Sequence, residues 1–245
     1  MSTSTSSFYV YLRYRAPLVV TLAMCIGPIT GQATELIFET SSGYPVSYFD
    51  LDGVGTNYGD RVTTSPQDGF NYGLSGGPTP NIVVTYGQPP EGARFAGSAA
   101  TYGDLVNIID CYAYPNGQQA RIAFAADPGF KVALHSFDMA GYANDWTIDS
   151  IRIYDENIER YSQKPVLIEG NSAGPRHTHF DFANPLVGQT LTIWIDGTQL
   201  LPGATFQYIG IDNILISQVP EPASILLLAT GIALIARPVR RAACV

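Results

Sequence analysis

Cysteine, positive charge and helical periodicity are all scarce in this chain, and each shortage closes off a class of protein. Only 3 of the 245 residues are cysteine. Cys25 and Cys244 fall in end segments of distinct composition, which leaves Cys111 alone in the middle. A disulfide framework is therefore excluded for the middle region, and an apolar core must hold it together. The Cys111 thiol reads as a small buried apolar residue, because neighbouring Asp110 gives it no activation. Lys and Arg number 13 against 21 Asp and Glu, a net charge of −8, which argues against nucleic acid as a partner. No apolar run approaches the roughly 20 residues of a full membrane span. Walker, HExxH, GxGxxG and nucleophile-elbow patterns are missing, so the chain reads as non-catalytic.

What is present begins at the ends. Arg13 and Arg15 precede an uncharged stretch from Ala16 to Ile29, and Gly31-Gln32-Ala33 follows with small residues where a signal peptidase would cut. Residues 1–33 are thus expected to be a secretory signal, cleaved after Ala33. At the other end Pro220-Glu221-Pro222 is followed by an apolar run from Ala223 to Ala236 and then by Arg237, Arg240 and Arg241. Two prolines around a glutamate force an extended, non-helical backbone. At about 1.5 Å per residue the apolar run makes a helix of roughly 21 Å, too short to cross a ~30 Å hydrocarbon layer without basic anchoring on the cytoplasmic side.

The order of these three parts resembles the C-terminal signal of the PEP-CTERM proteins of Gram-negative bacteria. The resemblance covers residues 219–245. It implies recognition of Pro220, Glu221 and Pro222 by an exosortase, a membrane intermediate held by the short transmembrane helix, and delivery to the cell surface or extracellular matrix.

Between the ends lie residues 34–218, where 8 basic and 20 acidic side chains leave a charge of −12. One domain with a substantial core is expected at this length. Short β-branched and aromatic segments bounded by Gly, Pro and Asn recur along it. Phe130, Val132 and Leu134 alternate with Lys131 and His135, Ile151 and Ile153 flank Arg152, and Leu191, Ile193 and Ile195 alternate with Thr192 and Trp194. Ile209 and Ile211 are out of phase with Ile214 and Ile216, which predicts a bulge at Asp212-Asn213. Nine or ten strands of this kind predict an all-β fold, a two-sheet antiparallel sandwich of jelly-roll type.

Three patterns carry candidate chemistry. Asp50, Asp52, Asn57 and Asp60 lie in a glycine-containing segment that could wrap hard oxygens around Ca²⁺, although Asp-capped turns have the same composition. His177, His179 and Asp181 share one face of an extended segment and could hold a transition metal. A polar strand face is the preferred reading there, since no fourth ligand is apparent. Tyr58, Tyr72, Tyr102, Tyr112, Tyr114, Tyr142 and Trp146 sit near glycine-rich or polar segments, where exposed rings could stack on sugars. The functional expectation is an exported protein that binds or organises extracellular polysaccharide. A secreted glycan hydrolase, or a structural adhesion protein with a protein partner, is the alternative.

Overall fold

Along Thr190–Asp196, Leu191, Ile193 and Ile195 are fully buried while Thr192 and Trp194 stay half-buried on the other face. This two-residue period recurs through the protein and puts one face of each main strand in a core. The computed structural model describes residues 33–42, 57–87, 94–112, 119–197 and 209–221, with backbone alone at 94–101 and 110–112.

The described residues form strands and no helix. In chain order the strands are β1 (Ala33–Thr40), β2 (Phe70–Gly73), β3 (Ile82–Tyr86), β4 (Arg94–Tyr102), β5 (Leu105–Tyr112), β6 (Gln119–Ala126) and β7 (Phe130–Gly141), followed by β8 (Trp146–Ile148), β9 (Ser150–Asp155), β10 (Ile158–Gln163), β11 (Val166–Ile168), β12 (Thr178–Gly188), β13 (Thr190–Asp196) and β14 (Ile209–Pro220). The all-β, antiparallel reading of the sequence holds, with more strands than the nine or ten expected. Besides a small two-stranded sheet of β8 and β11 there are two large sheets: one runs β12-β7-β14-β1-β2, with β5 also pairing β14 and β4 pairing β5, and the other runs β10-β9-β13-β6-β3. Their inner faces share one core. Leu36, Leu134, Phe137, Ile211 and Ile216 come from the first sheet and Ile122, Phe124, Ile153 and Ile193 from the second, the arrangement of a sandwich.

The bulge expected at Asp212-Asn213 is present: the β14 register shifts between Asp212 and Leu215, and Asn213 takes φ +50°. Its position has a topological reason. Upstream of it β14 pairs with β5 through Gly210 and Ile211, and downstream it pairs with β1 from Ile214 to Ser217. The extra residue lets one strand edge serve two partners. On the side of the first sheet away from the main core, Tyr102, Leu105, Ile108 and Ala140 form a second small cluster. The β4–β5 hairpin thus covers the outside of that sheet, with Ile108 packed where a side chain on Gly210 would otherwise stand.

The first and last of these strands are tied down at their outer ends. Ala33 lies in β1 and is buried, and its carbonyl accepts a hydrogen bond from the Gly76 amide at 3.1 Å. β14 continues two residues past position 218, pairing Pro220 with Phe130, and the Glu221 amide then donates to the Gly129 carbonyl at 2.9 Å. Pro222, the apolar run, Arg237, Arg240 and Arg241, and nearly all of the expected signal segment lie outside the described residues.

Candidate metal centre

Asp138 stands in β7 between Phe137 and Met139, both of which point into the main core, so its carboxylate points to the outer side of the first sheet. Register then decides its neighbours. His179 of β12 is its direct cross-strand partner on one side and Asp212 of β14 on the other. His179 Nδ1 lies 2.5 Å from Asp138 Oδ1, and His177 Nε2 lies 3.7 Å from the same oxygen. The bulge supplies the other contact, because Asn213 Nδ2 donates to Asp138 Oδ2 at 2.8 Å. One ligand atom from each of Asp138, His177 and His179 falls within 4.8 Å of the others.

His177 is held from behind. Its Nδ1 meets Asp104 Oδ1 at 2.8 Å, and Asp104 sits at the tip of the β4–β5 hairpin, where Tyr102 and Leu105 pair across a two-residue loop. Gly103, the first loop residue, has φ +56°, as a type II′ hairpin turn requires. A side chain there would also come within 1.8 Å of the Arg176 carbonyl oxygen. The segment leading into His177 is pinned by Arg176, whose guanidinium reaches Glu169 Oε1 at 2.8 Å and Asp145 Oδ2 at 3.2 Å. Asp145 in turn accepts from the Gly170 amide at 2.8 Å. Gly103→Ala is accordingly expected to cost about 1–3 kcal/mol from backbone strain alone and to pull Asp104 off His177. Chemical denaturation checks the first effect and the imidazole NMR shifts of His177 check the second.

Acidic side chains gather around Asp138 and are held back from ionising. Burial pushes the Asp212 carboxyl up to about 8, and the charges of Asp138 and Glu35 add to the shift. Glu35 is raised as well, first by burial and then by Asp138.

The sequence reading placed Asp181 beside the two histidines. It is Asp138 that joins them, while Asp181 pairs across β7 with Ser136 and acts electrostatically on His135. Of the residues considered for calcium, Asp50 and Asp52 lie outside the described residues. Asn57 is exposed, and Asp60 Oδ1 accepts the Val84 amide at 2.6 Å, binding the 57–60 turn to β3. Burial raises the Asp60 carboxyl, although the Val84 bond and Arg61 oppose that shift.

The aromatic candidates divide. Tyr58, Tyr72 and Tyr102 are buried and offer no stacking surface. Tyr142 is exposed and packs on Tyr102 at a ring separation of 5.4 Å, and Trp146 donates from Nε1 to the Tyr142 carbonyl. Tyr112 and Tyr114 lie outside the described side chains. A different group, which the sequence pattern alone does not single out, lies on the outer face of the second sheet. There Arg121, Trp194 and Arg152 stand in one cross-strand row on β6, β13 and β9. The Arg121 guanidinium lies over the Trp194 ring, and Tyr154 approaches its edge at 6.1 Å. The alternation that buries Ile193 and Ile195 already puts Trp194 on the outer face, so this row was recoverable once strand register was known.

No family model matches the chain, and no curated protein does. Several solved structures align with it at low identity. A family 32 carbohydrate-binding module of Clostridium perfringens NanJ, determined in complex with galactose, is 12% identical over 56% of this chain and 92% of that one, with a TM-score of 0.29. Wild-type discoidin II from Dictyostelium discoideum is 9% identical over 56% of this chain and 54% of its own, with a TM-score of 0.28. A further Clostridium perfringens protein, CpGH89CBM32-6, is 9% identical over 58% of this chain and 94% of its own, with a TM-score of 0.26. At these scores no residue role passes from them to this protein.

Proposed function

We propose that this is an exported, non-catalytic β-sandwich that binds or organises extracellular polysaccharide after an exosortase has acted at Pro220-Glu221-Pro222. The observation that carries this reading is the order of the C-terminal parts, with the Pro-Glu-Pro motif, a short apolar run and Arg237, Arg240 and Arg241 in succession. Next to the motif, β14 runs to Pro220, and the Glu221 amide bonds the Gly129 carbonyl, the last such bond among the described residues. The polysaccharide part rests on the outer face of the second sheet. Arg152 bonds Asp196 and the Tyr154 hydroxyl, and Tyr154 bonds Glu159. With Trp194, one face of which the Arg121 guanidinium covers, these side chains set aromatic rings beside donors and acceptors, the combination sugars require.

One experiment tests both parts: the intact mass of the protein recovered from the washed extracellular polysaccharide of the producing cell. The expected protein lacks the signal segment and everything beyond the Pro-Glu-Pro motif, and Trp194→Ala leaves most of it in the wash. A cell-bound protein whose mass still includes the arginine tail would overturn the processing reading. Equal retention of the Trp194→Ala variant would overturn the assigned face.

A further inference from the structure

We propose that Asp138, His177 and His179 form a binding site for a divalent transition-metal ion of the zinc class, with a fourth coordination position open to solvent. The argument starts from hydrogen-bond roles. When His177 is neutral, as a metal ligand must be, an Nδ1 proton donated to Asp104 leaves a lone pair on Nε2. That lone pair faces a carboxylate oxygen of Asp138 at 3.7 Å. In that state two acceptors confront each other at a distance too long for a hydrogen bond and suited to a shared cation. His179 brings a second imidazole nitrogen to the same oxygen, and a metal would replace the proton these two atoms share.

The spacing agrees. Bonds of about 2.0–2.1 Å in a tetrahedron separate ligand atoms by roughly 3.3 Å, so His179 would have to open from 2.5 Å and His177 close from 3.7 Å, each by less than about 1 Å. Half-exposed side chains can make such shifts. The His177 and His179 side chains are 32% and 54% exposed, whereas that of Asp138 is only 10% exposed and is fixed by Asn213. One rigid carboxylate and two adjustable imidazoles then leave the solvent side uncovered. The Asp104–His177 contact supplies the carboxylate–histidine orientation that metal-binding imidazoles commonly have. Two nitrogen ligands select a borderline metal such as zinc over calcium, whose preference is for six to eight oxygens.

The test uses the full chain, purified, treated with an alkylating agent to block its thiols, stripped with chelator and titrated with Zn²⁺. Uptake of one ion per chain is expected, with Co²⁺ giving the visible absorption of a tetrahedral site and millimolar Ca²⁺ failing to compete. His177→Ala and His179→Ala should each weaken Zn²⁺ binding at least 100-fold, and Asp104→Asn about 10-fold. Circular dichroism confirms that each variant is folded. Should either histidine variant fail to fold, Asp104→Asn still decides, because its side chain is 47% exposed and lies outside the ligand set. No uptake by the native chain, undiminished uptake by a folded histidine variant, unchanged affinity in Asp104→Asn, or displacement by Ca²⁺ would each overturn the site. The outcome does not depend on sorting, which is read from the mass of the exported protein.

Discussion

Tyr58→Ala is expected to destabilise the protein by about 3–5 kcal/mol, a large fraction of the roughly 5–15 kcal/mol that holds a domain folded. The Tyr58 ring is fully buried, stacked on Phe38 at 5.0 Å, edge-on to Phe70 at 5.0 Å and tilted against Tyr72 at 5.2 Å. Truncation would leave a cavity among rings that cannot all collapse into it. A second contribution is separable. Phe38 takes φ +49°, and the β1–β2 register shifts between Glu35 and Glu39. The Phe38 amide instead donates to the Tyr58 hydroxyl at 2.7 Å, within the core. Tyr58→Phe keeps the ring and removes that acceptor, so it should cost about 1–3 kcal/mol, the penalty for an orphaned buried donor. Urea denaturation of both variants checks the pair. A Tyr58→Phe midpoint equal to that of the native protein would show that water or a shifted backbone satisfies the Phe38 amide.

This residue also shows where the sequence reading ran out. Tyr58 stands between Asn57 and Gly59 in an acidic, glycine-containing stretch, and local composition placed it at the surface. Its burial comes from contacts with Phe38, Phe70, Tyr72 and Tyr86, which local composition cannot show. Strands with one clean apolar face were legible, as along Leu191–Ile195, and so was the β14 bulge, because a phase change in isoleucines has no other simple cause in a strand. β10 was missed because it is almost wholly exposed and carries no alternating core residues. β4 was missed because its Ala, Gly and Ser residues have low strand propensity. Yet Gly103-Asp104 between Tyr102 and Leu105 was a usable hairpin signal.

The metal centre was half legible for the same kind of reason. His177 and His179 announce themselves by spacing. Asp138 could not be chosen among 21 acidic residues, because its place beside them depends on the register of β12 against β7, and that register shifts between Asp181 and Leu186. Asp181 was the natural choice from one strand considered alone. The third ligand came from the neighbouring strand, as it does whenever cross-strand pairs rather than alternate residues build a site.

Raising the pH from 10 to 12 is expected to unfold the protein cooperatively. Burial pushes the Tyr72 phenol up to about 12, and the backbone bond from Gly59 only partly offsets it. Burial likewise raises Tyr58 and Tyr86 well above the ordinary value for tyrosine. The native state thus keeps these protons where the unfolded chain releases them. Below about pH 10 both states are protonated and stability is unaffected. Above it, each phenol withdraws about 1.4 kcal/mol per pH unit until the native group also ionises. By pH 12 Tyr72 alone withdraws roughly 2 kcal/mol after allowance for screening, and Tyr58 and Tyr86 withdraw further stability in the same direction, against the roughly 5–15 kcal/mol that holds a domain folded. Tyrosinate absorbance from the buried rings should therefore rise together with loss of the β-sheet circular dichroism, not ahead of it. Tyr72→Phe should flatten the pH dependence of the unfolding free energy above pH 10 by about 1.4 kcal/mol per unit, even though losing the Gly59 contact lowers its stability at neutral pH. If the buried tyrosines titrate near pH 10 while the sheet signal persists, water reaches this end of the core, and the cost assigned to Tyr58→Phe must fall with it.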